Sequence, residues 1–194
     1  MASQPEPKQA FKSVEEYLEL ERTTGKKYDY VDGQLYLMSG GSFNHSEISF
    51  NIETLLKSHL RGGSCRAYNS DVRVRITETK YLYPDVSVSC HPTDRGPGNI
   101  MAHPRVVVEV LSPSNTGYDL LRKIMLYRRV PTLEEILLVD SQQHYAEVHR
   151  RGQNHFWATH LFYPGVSVEL TSLSMTFPLE AAYDNVEFTL EEAE

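Results

Sequence analysis

Cysteine, tryptophan and long apolar runs are scarce in this chain. Only Cys65 and Cys90 occur among 194 residues, too few for a disulfide framework. Each lies beside or within a strand-like segment, so both read as buried free thiols. No stretch approaches the roughly 18 uninterrupted apolar residues of a membrane span, and Met1 to Lys8 are polar and proline-containing rather than signal-like. The expected compartment is therefore the cytoplasm, with no membrane contact. Basic charge is also in deficit. Nineteen Lys and Arg against 26 Asp and Glu leave a net charge of -7, which excludes a protein that coats nucleic acid by bulk electrostatics. The runs Arg61, Arg66, Arg73, Arg75 and Arg122, Lys123, Arg128, Arg129 read as solvated faces unless a local cleft gathers them.

What is present describes an ordinary globular chain, 40% hydrophobic and 23% charged, with a single domain over residues 13–190 behind a loose tail at 1–12. Ser13-Val14-Glu15-Glu16 is a capping box and Gly25 a stop, which predicts a helix over 14–24. Asp32-Gly33 between the runs 27–31 and 34–38 predicts a β-hairpin. A Gly40-Gly41-Ser42 turn leads into a helix over 45–61, with Ile48, Ile52, Leu55, Leu56 and Leu60 on one stripe. Strands are expected at 65–69, 71–76, 82–90 and 105–111, with a mobile loop from 91 to 104. Ser112-Pro113-Ser114 reads as the turn that ends the last of them, and a third helix over 118–129 stops before Pro131. Strands near 135–139, 145–150, 155–161 and 167–170 follow, then a helical turn near 179–183.

The chemistry concentrates in two places. Tyr83-Pro84-Asp85 opens one apolar run, and Glu109 sits inside another, Val106-Val107-Val108-Glu109-Val110-Leu111. A carboxylate among β-branched residues is tolerated when it is paired, hydrogen-bonded or bound to a cation. Two such acids on neighbouring strands invite a divalent metal. The helix that follows carries Asp119, Lys123 and Tyr127 at i, i+4 and i+8, on one side, from which Lys123 can reach the acids. Two carboxylates holding a hard cation such as Mg²⁺, with a lysine that orients water or stabilises phosphate, are the parts of a metal-dependent phosphodiesterase.

In these residues and their order the chain resembles the Uma2-like endonuclease family of the PD-(D/E)XK restriction-endonuclease-like superfamily. The resemblance runs through Tyr28-Asp29-Tyr30-Val31-Asp32-Gly33, His45, Asp71-Val72-Arg73-Val74, Pro84-Asp85-Val86 and Val108-Glu109-Val110-Leu111-Ser112-Pro113-Ser114. It continues over Asp119, Lys123 and Tyr127 to Leu138-Val139-Asp140. It implies an α/β (α+β) fold, a restriction-endonuclease-like core with a central mixed β-sheet flanked by helices. It also implies Asp85 and Glu109 as metal ligands for Mg²⁺ or Mn²⁺, and DNA as substrate. The superfamily's usual lysine two residues after the acid is absent, because Leu111 stands there; Lys123 matches the family's replacement on the next helix. Asp29 stands where the family commonly has a glutamate, and Gln34 where it commonly has an acid after the Asp-Gly turn. The expected catalytic set is Asp85, Glu109 and Lys123, with His45 contacting substrate phosphate or water. Self-association into a homodimer is expected by analogy with related nucleases.

Each residue also has a plainer reading. Asp85 fits a strand-start residue capping local amides, Glu109 a buried ion pair, Lys123 a helical pair with Asp119, and His45 a capping or surface histidine. Asp71 reads as structural. Ser112 and Ser114 lack a Gly-x-Ser-x-Gly elbow, and Gly40-Gly41-Ser42 lacks the lysine of a phosphate loop. Three functions remain in play: a metal-dependent endodeoxyribonuclease, a non-cleaving nucleic-acid-binding or regulatory module with the same fold, and a hydrolase of small phosphate esters.

Overall fold

The computed structural model describes residues 13–38, 40–112 and 117–188; the expected tail and the 113–116 part of the strand-ending turn lie outside them. Local chemistry places the first elements. In α1 (Val14–Thr24) the Ser13 hydroxyl accepts from the Glu16 amide, the Glu16 carboxylate accepts from the Ser13 amide, and Gly25 closes the helix at φ 67°. The hairpin of β1 (Tyr28–Val31) and β2 (Gln34–Leu37) turns on Asp32 and Gly33, both at positive φ. α2 (Phe43–His59) begins at the Ser42 cap, earlier than expected, and buries Ile48, Ile52 and Leu56.

Two sheets carry the remainder. A six-stranded sheet runs in the order β11 (Trp157–Phe162), β10 (Ala146–Arg151), β9 (Glu135–Asp140), β8 (Pro104–Leu111), β6 (Val86–Ser89), β3 (Arg66–Asn69). A five-stranded sheet runs β2, β1, β5 (Lys80–Leu82), β4 (Arg73–Thr77), β7 (Ile100–Met101). Each is mixed: β8 lies parallel to β9 and β4 to β7. A parallel pair needs a crossover, and α3 (Gly117–Tyr127) lies in the one between β8 and β9. The hairpin of β12 (Ser167–Leu170) and β13 (Met175–Pro178) and a 3₁₀ turn at Leu179–Tyr183 close the described chain.

Strand alternation sorts the core. Val106, Val108 and Val110 pack with Ile48, Ile52 and Leu56 of α2 and with Val168, Leu170 and Phe177 of the C-terminal hairpin. Val107, from the opposite face of β8, packs with Ile136, Leu138, Ile124, Leu126 and Tyr127, and with Val74, Leu82 and Met101 of the smaller sheet. Burying each such side chain contributes about 1.5–3 kcal/mol, so α3 is held in the core that the two sheets share. Glu109 has the parity of Val107 and faces α3.

Four expectations change. The strand expected over 82–90 is two strands in different sheets, because Pro84 has no N–H to donate to a ladder; the chain crosses from β5 to β6 at Tyr83-Pro84-Asp85. The loop from 91 to 104 is anchored rather than mobile: Asp94 is buried and accepts from the Ala102 amide (3.0 Å), the His103 amide (2.8 Å) and the Ser89 hydroxyl (2.7 Å). It also contributes β7. A strand not expected from the sequence, at 175–178, pairs antiparallel with the equally short β12.

The cysteines are the fourth. Arg66 pairs with Ser89 across β3 and β6, so one step along the ladder Cys65 stands opposite Cys90, and the two form a disulfide. A sequence separation of 25 hid the pairing. The serine double variant Cys65→Ser/Cys90→Ser is expected to be about 2–4 kcal/mol less stable than the oxidised protein. Urea unfolding of both, with and without reductant, measures it; coincident midpoints would refute the disulfide.

Candidate active site

The crossing at Tyr83-Pro84-Asp85 brings one residue from each sheet toward α3. The Tyr83 amide, freed from any ladder, donates to Asp29 Oδ1 at 2.8 Å, and this fixes the Asp29 carboxylate of β1. Asp85 stands just before β6, where its Oδ2 accepts from the Val110 amide of β8 at 2.7 Å. The amide it caps is thus not a local one but lies 25 residues away on the neighbouring strand. Its other oxygen, Oδ1, lies 3.4 Å from His45 Nε2 of α2.

Glu109 and Lys123 complete the group. Lys123 Nζ is 3.3 and 3.1 Å from the two Glu109 oxygens and 3.3 Å from Asp29 Oδ2. The Tyr127 hydroxyl, one helical turn on, donates to Glu109 Oε1 at 2.6 Å. Four elements and the β5–β6 crossing thus deliver Asp29, His45, Asp85, Glu109, Lys123 and Tyr127 to one place, and the expected set of Asp85, Glu109, Lys123 and His45 is brought together. Asp71 is not part of it; it pairs with Lys27 at the surface.

The charges are out of balance in a dry setting. Burial pushes Glu109 above the ordinary carboxylate range; the Lys123 ammonium pulls the other way, while Asp85 adds to the push. For Lys123 burial opposes the charge, yet Asp29, Glu109 and Asp85 outweigh it and hold the ammonium above its usual value. Burial and then the Glu109 carboxylate keep the Tyr127 phenol protonated. The hydrogen bond to Asp85 raises His45 against the effect of its burial. Three acids therefore share one lysine and one imidazole.

A second buried acid shows what a purely structural carboxylate looks like here. Glu135 accepts from Arg150 Nε and from the amides and hydroxyls of Thr171 and Ser172, so every lone pair is matched by a donor. Glu109 instead has two side-chain donors and two neighbouring acids. Among the described residues no group of three or more His, Cys, Asp or Glu meets metal-ligating geometry. Mg²⁺ is commonly held by one or two carboxylates and completes its octahedron with water, so two acids meet that need.

Sequence reasoning noticed Asp29 only as a departure from a family pattern and assigned Tyr127 no task. The signal for Asp29 was present in the alternation Tyr28-Asp29-Tyr30: Tyr30 packs with Tyr17, Leu35 and Tyr81 under α1, which turns Asp29 to the opposite face. Tyr127 was visible as the i+4 neighbour of Lys123.

In sequence and in fold the chain is similar to known proteins. Residues 14–185 match the Uma2 family, described as "Putative restriction endonuclease". An uncharacterized protein of Synechocystis sp. is 40% identical over 177 residues, 91% of this chain and 93% of that one. A second from the same organism is 30% identical over 167 residues, 82% of this chain and 93% of its own length. In fold, the chain is similar to the crystal structure of a putative nuclease belonging to DUF820 from Anabaena variabilis. The TM-score is 0.73 at 19% identity, covering 89% of this chain and 97% of that one.

Proposed function

The chain belongs to the Uma2 family, and on that footing we propose that it is a divalent-metal-dependent endonuclease that hydrolyses DNA phosphodiester bonds at the Asp85–Glu109–Lys123 cluster. The observation that carries the proposal is the buried excess of acid around Glu109, raised by desolvation and by Asp85. A site of carboxylate oxygens short of positive charge has the donor chemistry of a hard cation.

In this reading Asp85 and Glu109 would hold Mg²⁺ or Mn²⁺, and the ion would supply Lewis acidity toward the scissile phosphate. Tyr127 keeps one Glu109 oxygen occupied and so fixes the rotation of the carboxylate. Asp29 holds the Lys123 ammonium at the cluster, where it offers N–H donors to the charge that grows on the phosphate oxygens in the transition state. His45, beside Asp85, contacts a phosphate oxygen or the attacking water. The Val110 N–H orients Asp85 by donating to its Oδ2.

A second reading has its own support. Lys123 contacts both Glu109 oxygens, so the pair is charge-satisfied without a cation, as a non-cleaving DNA-binding module would be. Supercoiled plasmid separates the two. Nicking in Mg²⁺ or Mn²⁺ that EDTA abolishes is the expected result. A metal-independent gel shift with intact plasmid would replace the nuclease by the binding module.

A further inference from the structure

The Gly40-Gly41-Ser42 turn resembled a phosphate loop without its lysine, and the site described above makes no direct use of it. Its geometry gives it another task. A Cβ built on Gly41 would stand 2.6 Å from His45 Cγ, 2.6 Å from His45 Nδ1 and 3.0 Å from His45 Cβ. These atoms lie at the root and ring of the imidazole, so no small rotation of a flexible tip relieves the overlap. Gly40, its neighbour, has open space around the same position. Neither glycine has positive φ, so backbone conformation does not demand glycine at either place.

The other restraints on His45 point the same way. Ser42 caps α2 by accepting from the His45 amide at 3.2 Å, and Ser49 donates its hydroxyl to the His45 carbonyl at 2.7 Å. These fix the backbone. The ring then has Gly41 on one side and Asp85 Oδ1 3.4 Å from Nε2. We propose that Gly41 is a positioning residue: its missing side chain is the space in which the His45 imidazole is held toward Asp85. This inference rests on the nuclease reading for its effect on cutting, though not for its effect on the ring.

The test uses the full chain with Gly41→Ala, Gly40→Ala, His45→Ala and the double variant Gly41→Ala/His45→Ala. Carbethoxylation of His45 by diethyl pyrocarbonate, located by mass spectrometry, reads the ring directly, with His160 as an internal reference. Gly41→Ala is expected to speed modification of His45 several-fold while Gly40→Ala leaves it at the wild-type rate. Plasmid nicking should fall by roughly 10- to 100-fold in Gly41→Ala, the scale of a misplaced catalytic group. The double variant should lose no more than His45→Ala alone. Unchanged His45 modification in Gly41→Ala overturns the inference whatever the plasmid shows, and so does a double variant whose losses add. Faster modification with no cutting by any protein, wild type included, upholds the positioning and overturns the nuclease reading instead.

Discussion

Glu109→Gln removes metal-dependent cutting by at least about 10²- to 10³-fold, the scale of losing one preorganised electrostatic group, and leaves the protein no less stable than wild type. The two halves of this expectation come from the same physics. The amide keeps the size of the side chain and still accepts from the Tyr127 hydroxyl, which sits 2.6 Å from Oε1. It carries no charge, so it offers a divalent cation a neutral amide oxygen in place of an anionic carboxylate. Burial and Asp85 raise Glu109 while Lys123 pulls it down, and Glu109 in turn helps to hold Lys123 charged, so neutralising it relieves the desolvation of one acid, gives up one partner of the lysine, and the two effects offset. Lys123 keeps Asp29 as its partner at 3.3 Å. A purely structural ion pair predicts the opposite outcome, because breaking a buried pair costs about 3–5 kcal/mol. Nicking rates, Mn²⁺ titration calorimetry and thermal melting of the same preparation decide it. Retained Mn²⁺ affinity, or a large drop in melting temperature with cutting intact, would return Glu109 to the structural role.

Arg73→Met carries the largest stability loss expected in the molecule, about 3–5 kcal/mol. Its guanidinium lies 2.6 Å from Glu21 Oε2, and both side chains are almost fully buried, 7% and 6% exposed. Glu21 Oε2 also accepts from the Tyr83 hydroxyl at 2.9 Å and Oε1 from the Tyr28 amide at 2.8 Å. The rings of Tyr17 and Tyr83 flank the guanidinium, with centroids at 5.5 and 5.3 Å. Methionine fills much of the same volume, so the loss reports the stranded Glu21 carboxylate rather than a cavity. Urea unfolding measures it, and the double variant Glu21→Gln/Arg73→Met should recover much of it. Unaltered unfolding in Arg73→Met would mean that the pair does not hold α1 to the sheet. The site feels this node as well: Tyr83, whose hydroxyl binds Glu21, is the residue whose amide fixes Asp29.

These two acids also show what could be read in advance. Glu109 declared itself because an ionisable residue inside Val106-Val107-Val108-Glu109-Val110-Leu111 needs a partner wherever the strand lies. Glu21 did not, since on an amphipathic helix an acid is ordinarily solvated. Its burial follows from the docking of α1 over Tyr30, Leu35 and Tyr81, an event no local pattern encodes. The same division runs through the fold. The Ser13 cap, Gly25 stop and Asp32-Gly33 turn act within a few residues, and they appear where the pattern put them. Pro84 was legible as a residue but not as the point where the chain changes sheets. The disulfide joins residues 25 apart, while the Asp94 anchor and β13 close within one loop and one hairpin but carry no periodic or capping pattern that marks them.

By itself, then, the sequence determined the local elements, the two strand acids and the helix that carries Lys123 and Tyr127, because periodicity and capping act over one or two turns. Only the tertiary structure decided that Asp29 shares Lys123 with Glu109, that Cys65 meets Cys90, and that Gly41 leaves room for His45. Each of these is a contact between segments whose approach is set by how the sheets and helices bury their apolar faces together, and that packing is a property of the fold rather than of any one segment.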